Sequence, residues 1–191
     1  MQQRETIKQL ISTYLNDNPE QSDRVQPILG FIHEYNGEQL YARNNFTGHI
    51  TGSAYILNKA KNAMLLLEHK FLQRWLQPGG HVEAADDTVL SAALREAVEE
   101  TGIGETELQP VNGHIFDIDS HPIPANTKKG EPAHIHHDIA FLFVYEGTPS
   151  VNIDMEESTA AKWVPLNELA TDATFSKLAT RLVAVGTAGV G

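Results

Sequence analysis

The first part of the chain repeats apolar positions with the period of an α-helix. Two amphipathic stretches are separated by the polar and turn-forming residues 16–19, and each places its apolar residues on one face: Ile7, Leu10, Ile11, Tyr14 and Leu15, then Val25, Ile28, Leu29, Ile32 and Tyr35. Residues 1–44 are therefore predicted to form a helical hairpin that packs on the rest of the chain. A lid over a cleft, or a contact in a homodimer, is the alternative role for the same apolar face.

Strand-like segments dominate the remainder of the chain. Segments rich in β-branched or aromatic residues and bounded by turn formers lie at 49–58, 62–69, 109–118, 134–146 and 161–166, and helices are predicted at about 88–101 and 173–185. Because the strands and helices do not alternate regularly, the predicted fold class is α+β, a mixed β-sheet flanked by helices. We assign residues 45–186 to one domain and residues 187–191 to a flexible tail.

Composition and charge narrow the function classes. The 191 residues include no cysteine, which excludes disulfides, thiolate metal sites and a cysteine nucleophile. The 14 basic and 25 acidic residues give a net charge of −11, which argues against DNA as a partner, because Lys and Arg drive phosphate-backbone binding. The polar N-terminal segment and the short apolar runs predict no membrane partner and a cytoplasmic location.

Three carboxylates stand at unfavourable positions in the predicted helix near residues 88–101. Glu96, Glu99 and Glu100 share one side of the helix, and each like-charged pair at that spacing destabilises a helix by roughly 0.2–0.5 kcal/mol. They also lie near the negative end of the helix dipole. A divalent cation explains this arrangement, and oxygen ligands favour Mg²⁺, Mn²⁺ or Ca²⁺ over zinc. Arg95 stands four residues before Glu99 and is predicted to pair with it.

Residues 80–103 resemble the signature motif of the Nudix hydrolase superfamily, G-x5-E-x7-R-E-U-x-E-E-x-G-U with U apolar. Gly80 matches the first glycine, and Arg95, Glu96, Glu99, Glu100, Gly102 and Ile103 match the second half. The early glutamate of the motif is replaced by Asp86 or Asp87, and one extra residue separates Gly80 from Arg95. The resemblance implies the Nudix fold, a mixed sheet sandwiched by helices.

The resemblance also implies a chemistry, the metal-dependent hydrolysis of a phosphoanhydride bond in a nucleoside diphosphate linked to another group. Glu96, Glu99 and Glu100 then hold Mg²⁺ or Mn²⁺, with a Gly79 or Gly80 carbonyl as a further ligand. Glu96, Glu99 and Arg95 belong to the catalytic machinery, and Glu157 is the candidate acid from outside the motif. The alternative reading of Glu157 is an ordinary acid in a surface loop.

A second group of polar residues begins at residue 134. On a strand, His134, His136 and Asp138 point to one face, while the opposite face is apolar. The preceding loop, 120–133, contains Lys128 and Lys129, a rare basic pair in this acidic chain, and either lysine is a candidate to meet phosphate. We predict that His81, Lys128, His134, His136 and Asp138 contact a small-molecule nucleotide or related diphosphate. A zinc site at His134, His136 and Asp138 is disfavoured, because alternate strand positions need not converge on one ion, and the other histidines, His49 and His121 among them, are interpreted as ordinary.

Two other functions are compatible with this fold. A non-catalytic nucleotide-binding or regulatory module would keep the fold without hydrolysis, but such a module would be expected to show an eroded motif. An isopentenyl-diphosphate isomerase uses a catalytic cysteine, which this chain lacks.

Overall fold

The computed structural model describes residues 2–127, 130–148, 151–154 and 158–187. The α-helices are α1 (Gln2–Asp17), α2 (Gln26–Glu34), α3 (Val89–Thr101), α4 (Leu166–Leu169) and α5 (Ser176–Thr187). The strands are β1 (His49–Asn58), β2 (Ala63–His69), β3 (Arg74–Leu76), β4 (Gly79–His81), β5 (Leu108–Ile123), β6 (His134–Tyr145) and β7 (Ser158–Pro165). The fold is α+β, as predicted.

The seven strands form one sheet. Neighbouring strands follow the order β3-β2-β1-β6-β5, while β4 pairs with β1 and β7 pairs with β2. The predicted strands and helices are confirmed, although β5 extends five residues past its predicted end at residue 118. The short strands β3 and β4 were not predicted, because their three residues each are too few to form a hydrophobic pattern. No helix in the described ranges is long and apolar enough to cross a membrane.

The chain divides into two compact units. The first comprises the described residues of Met1–Ser53, Gly79–Ala93 and Asn112–Phe141, and the second those of Ala54–Pro78, Leu94–Val111 and Leu142–Gly191. The predicted domain boundaries at residues 44/45 and 186/187 stay predictions, and residues 188–191 of the predicted tail lie outside the described residues.

In the first unit, the N-terminal helices bury the apolar faces that their sequences predict. Ile7, Ile11, Ile28 and Ile32 are almost completely buried. The two helices are joined by Arg4, whose guanidinium donates hydrogen bonds of 2.9 and 3.2 Å to the carbonyl oxygen of Tyr35. Burial of apolar surface, at roughly 25 cal/mol per Å², is what holds such helices in place.

An ion pair ties the N-terminal segment to strand β5. Arg24 donates hydrogen bonds of 3.0 Å to each carboxylate oxygen of Asp117, which is buried, and the hydroxyl of Tyr14 lies 3.5 Å from Asp117 Oδ1. Burial by itself would lower the pKa of Arg24, but the facing carboxylates of Asp117 and Asp119 raise it above its ordinary value. The pair fixes the start of α2 through a planar, two-point contact.

In the second unit, β2 pairs antiparallel with β3 and β7. The chain's two tryptophans, Trp75 on β3 and Trp163 on β7, both lie here. The ammonium of Lys162 lies 3.9 Å from the centre of the Trp75 ring, and Trp163 stacks on Tyr145 with ring centres 6.0 Å apart. Each indole ring therefore has one side chain packed against its face.

Gly102 follows the last residue of helix α3 and adopts the left-handed conformation. Its φ is +65°, and an added Cβ would lie 2.6 Å from the carbonyl oxygen of Asn152. We expect Gly102→Ala to lower the free energy of unfolding by about 1–2 kcal/mol, since a left-handed residue with a Cβ is strained and the contact adds to that strain. Chemical denaturation measures the change.

Gly37→Ala is the matched control for this prediction. Gly37 has a similar φ of +58°, but a Cβ there would meet nothing within 4 Å. The difference between the two variants isolates the clash with Asn152, and equal losses would show that the contact contributes nothing.

Candidate functional site

Helix α3 carries the predicted metal-binding residues, and reciprocal hydrogen bonds between Thr88 and Ser91 cap its first turn. Thr88 Oγ1 accepts a hydrogen bond of 3.0 Å from Ser91 N, and Ser91 Oγ accepts one of 2.9 Å from Thr88 N. Thr88 therefore caps the start of the helix. Asp86 instead accepts a hydrogen bond of 2.8 Å from Glu83 N, which closes the loop before the helix.

The last turns of α3 present the three predicted carboxylates. The Glu100 residue is buried, the Glu96 side chain is 14% exposed and the Glu99 side chain is 57% exposed. Arg95 donates hydrogen bonds of 3.0 Å to Glu99 and 3.1 Å to Glu96, so the predicted Arg95–Glu99 pair is present and a second carboxylate shares the same guanidinium. Arg95 therefore limits the rotation of both acids.

Residues 152–154 join the end of this helix. Asp154 N donates a hydrogen bond of 3.0 Å to Glu100 O, and Asn152 N donates one of 2.9 Å to Thr101 O. These contacts satisfy carbonyl groups that a helix end leaves without intrahelical partners. They also bring Asp154, an acid that the sequence did not single out, beside Glu100.

Strand β4 contains Gly79 and Gly80 and pairs with β1. Gly79 pairs with Ser53, Gly80 with Gly52 and His81 with Thr51, all on β1. Gly52 in turn lies against the start of α3, where an added Cβ would approach the carbonyl oxygen of Val89 to 2.8 Å. Glycines in strands commonly mark such close approaches of backbone.

Histidines from several strands meet in the first unit. One ring nitrogen from each of His49, His81 and His136 lies within 4.8 Å of the others. The Nε2 atoms of His134 and His136 are 3.2 Å apart, and His134 Nδ1 lies 2.8 Å from the carbonyl oxygen of Pro132. We name His49, His81 and His136 the histidine triad.

Asp138 lies on the same strand as His136 and is a buried acceptor. Its Oδ1 accepts hydrogen bonds of 2.8 Å from Thr51 and 2.9 Å from Ser53 on β1. Burial raises the pKa of Asp138, while these two hydrogen bonds oppose that rise. On this face of β6, His134 and Asp138 are buried, at 7% and 6% exposed, and His136 between them is half-buried.

Comparison with known proteins assigns the family. The model of the NUDIX domain matches residues 49–183, which is more than half of the chain. The chain belongs to the Nudix superfamily. It is therefore a hydrolase of phosphoanhydride bonds, and the predicted fold and enzyme class are confirmed.

Individual relatives of this Nudix chain differ in their stated substrates. It is 28% identical over 140 residues to a probable DHNTP pyrophosphohydrolase of Lactococcus lactis subsp. cremoris, covering 73% of this chain and 78% of that protein. It is 37% identical over 70 residues to the m7GpppN-mRNA hydrolase NUDT17 of Xenopus laevis, covering 37% of this chain and 22% of that protein.

Solved structures show the same Nudix fold. The Ap4A hydrolase of C. elegans, in a binary complex, superposes with a TM-score of 0.55 at 21% identity, covering 73% of this chain and 98% of that chain. The dihydroneopterin triphosphate pyrophosphohydrolase of E. coli gives a TM-score of 0.51 at 17% identity, covering 69% of this chain and 92% of that chain.

The described site residues that the sequence predicts form two groups, and the Nudix motif on α3 contains one of them. Arg95, Glu96, Glu99 and Glu100 lie together on α3, whereas His81, His134, His136 and Asp138 lie together around β1, β4 and β6. Three predicted residues, Lys128, Lys129 and Glu157, lie outside the described residues. His49, at the start of β1, was interpreted as ordinary from the sequence but belongs to the triad. Its position beside His81 follows from the register of β1 and β4, in which Thr51 pairs with His81, and the sequence does not give that register.

Two histidines of β6 in this Nudix domain, His136 and His137, have pKa values well below that of an ordinary imidazole. Burial, followed by the neighbouring His49, His81, His134 and His121, lowers the pKa of His136 to about 2. Burial, followed by His49 and His121, lowers the pKa of His137 to about 4. His137 faces the other side of β6, where it stacks on Phe31 of α2 with ring centres 4.6 Å apart and lies 2.9 Å from Ser120 Oγ.

These lowered pKa values predict that the metal-free protein loses stability in mild acid. The unfolded chain binds a proton at His137 near pH 6.5, whereas the folded chain binds it only near pH 4. The unfolded state therefore holds more protons between these values, so the free energy of unfolding falls as the pH falls from 6.5 to 4, by up to about 3 kcal/mol. Urea denaturation at a series of pH values measures this slope.

Two variants test whether His137 causes this pH dependence of the free energy of unfolding. His137→Phe keeps a ring against Phe31 and is expected to show a shallower decline between pH 6.5 and 5, whatever its absolute stability. His33→Gln, at an exposed position of α2, is expected to keep the slope of the parent. An unchanged slope in His137→Phe would remove His137 as its cause.

Proposed function

We propose that this Nudix chain hydrolyses a phosphoanhydride bond in a nucleoside diphosphate linked to another group, with Mg²⁺ or Mn²⁺ held by Glu96, Glu99 and Glu100. One observation carries the proposal. The three carboxylates of the Nudix motif occupy the last turns of α3, and Arg95 hydrogen-bonds two of them. Acids concentrated at the negative end of a helix are costly unless a cation compensates them.

The chemistry of this donor set fits such an ion. The motif offers carboxylate oxygens only, and hard divalent cations prefer oxygen ligands. Glu96 and Glu100 have little exposed surface, and carboxylates with little water around them are retained where positive charge or donors compensate them. When bound, Mg²⁺ neutralises phosphate charge and stabilises the charge that develops on the transferred group.

The chain's own residues have separate roles in this proposal. Arg95 holds the Glu99 and Glu96 carboxylates in fixed directions. One carboxylate, from Glu96, Glu99 or Glu157, orients the attacking water and takes its proton. The carbonyl groups of Gly79 and Gly80 are the proposed additional metal ligands.

The substrate-binding residues are proposed from the polar groups around β6. The imidazole rings of His81, His134 and His136 each carry at least one N–H donor, which suits phosphate or base oxygens. Lys128 supplies the positive charge in this set. Asp138 is proposed to contribute to substrate binding by holding the side chains of Thr51 and Ser53 in place, since both of their hydroxyl groups donate to its carboxylate.

The names of the relatives support a substrate that combines a polyphosphate with a heterocyclic group. Ap4A, dihydroneopterin triphosphate and m7GpppN-mRNA share that combination. The first experiment is therefore an assay of phosphate and pyrophosphate release from these three compounds and from sugar nucleotides, with Mg²⁺, with Mn²⁺ and with chelator. We expect turnover that requires the cation. Nucleotide binding without turnover on any compound would instead support the non-catalytic binding module.

A further inference from the structure

The histidine triad is a donor set unlike that of the Nudix motif. His49 opens β1, His81 closes β4 and His136 lies on β6, so three strands contribute one imidazole each. The ring centres lie 5.0 Å apart for His49 and His81, 4.7 Å for His49 and His136, and 5.4 Å for His81 and His136. All three belong to the same compact unit.

An unsatisfied nitrogen points independently to a ligand. His49 is 1% exposed, and its Nε2 is buried without a hydrogen-bond partner among the described residues. Its Nδ1 lies 3.5 Å from the carbonyl oxygen of Asn45, which can only accept a hydrogen bond. That contact favours the tautomer with hydrogen on Nδ1, which leaves the Nε2 lone pair free. Buried polar atoms without a partner are rare in proteins, and a bound ion is one way in which such an atom is satisfied.

The neighbouring contacts have the form that accompanies metal-bound histidines. Imidazoles that bind a metal almost always donate their other N–H to a carbonyl or carboxylate, which fixes the ring. His49 has Asn45 O for this purpose, and the adjacent His134 has Pro132 O at 2.8 Å. His81 and His136 are only half-buried, so an ion can enter from their side.

The distances suit an ion of small radius. Two imidazole nitrogens bound tetrahedrally at about 2.0–2.1 Å lie roughly 3.3 Å apart. The triad nitrogens, at no more than 4.8 Å from one another, need to close by at most about 1.5 Å, which rotation of the rings can supply. Neutral nitrogen donors favour Zn²⁺, Co²⁺, Ni²⁺ or Cu²⁺ and disfavour Mg²⁺.

We propose that His49, His81 and His136 bind a transition-metal ion, Zn²⁺ or a chemical equivalent, with the fourth position left to water or substrate. Three protein ligands with one open position is the arrangement of zinc sites that bind an exchangeable group. The ion completes the bonding of His49 and holds β1, β4 and β6 together at one point. The site shares no residue with the carboxylates of α3, whereas His81 and His136 are also among the proposed substrate contacts.

Metal titration of the untagged 191-residue chain tests this proposal. After treatment with chelator, isothermal titration with Zn²⁺ is expected to show one site per chain, and Co²⁺ is expected to give the visible absorption of a tetrahedral nitrogen complex. Excess Mg²⁺ is expected to leave both signals unchanged. The absence of a Zn²⁺ site, or its displacement by Mg²⁺, would overturn the proposal.

Variants locate the ion. His81→Ala, at a half-buried position, and His49→Gln are each expected to weaken Zn²⁺ binding by about 100-fold or more, with circular dichroism confirming the fold. His114→Ala is the control, since His114 lies on β5 outside the triad, and it is expected to bind Zn²⁺ as the parent does. Equal binding in His81→Ala and the parent would exclude the triad. Glu100→Gln is expected to keep Zn²⁺ binding, so failure of the proposed hydrolysis and failure of this site give different results.

Discussion

Replacement of Glu96 or Glu100 by glutamine is expected to lower the rate of hydrolysis by about 10²–10⁴-fold, the range for loss of a positioned acid, base or charged group. Glutamine keeps the shape of the side chain but removes the negative charge that a divalent cation requires. The two residues occupy the least exposed carboxylate positions of the motif. Steady-state rates with saturating Mg²⁺, on whichever compound the parent protein cleaves, measure the effect.

Glu105→Gln is the matched control for these variants. Glu105 is an exposed glutamate just beyond α3, outside the Nudix motif, so the same change of charge there is expected to leave turnover within about twofold of the parent. Circular dichroism must show that all three variants are folded. Full turnover in Glu96→Gln or in Glu100→Gln would reject the assignment of that carboxylate.

Arg24→Ala is expected to lower the free energy of unfolding by about 2 kcal/mol. Removing one partner of a fully buried ion pair costs roughly 3–5 kcal/mol, because the remaining charge is left without compensation. The carboxylate of Asp117 is 6% exposed, but the Arg24 side chain is 39% exposed, so water screens part of the interaction and reduces the expected cost. Urea denaturation followed by circular dichroism measures the loss.

Arg43→Ala provides the comparison for Arg24→Ala. Arg43 pairs with Glu131 at 3.7 Å, and its side chain is 54% exposed, so its removal is expected to cost less than about 0.5 kcal/mol. The double variant Arg24→Ala with Asp117→Ala is expected to recover part of the stability lost by Arg24→Ala, since it leaves no buried charge. Equal stability of Arg24→Ala and Arg43→Ala would show that the buried pair contributes no more than a surface pair.

Most of the fold could be predicted because its longer elements carry a clear periodicity. The stripes of Ile7, Ile11 and Ile28 follow the helical period, and the strand at 49–58 was predicted at its observed bounds. Strand β4 could not be predicted, since two glycines and a histidine have no strand preference of their own. It exists because β1 offers backbone partners to Gly79 and Gly80, which is information about distant residues.

The carboxylates of α3 could be predicted from the sequence and the histidine triad could not, because only the triad depends on how distant strands pair. The carboxylates of α3 lie within five residues of one another, so helical geometry alone places them on one side. His49 and His136 are far apart in the sequence, and they meet only because of how the strands are arranged. Alternation along β6 predicted that His134, His136 and Asp138 share a face, but it gave no information on which side chains from β1 and β4 lie beside them.

Both tryptophans lie in one of the two compact units, so their fluorescence reports on that unit alone. Trp75 and Trp163 both belong to the second compact unit, and the histidine triad belongs to the first. Indole fluorescence therefore reports the loss of structure around β3 and β7, whereas amide circular dichroism reports all helices and strands together. Coincident transitions from the two signals would indicate that the units unfold as one cooperative system. The visible absorption of a bound Co²⁺ ion would supply a third signal, which reports on the histidine triad in the first unit.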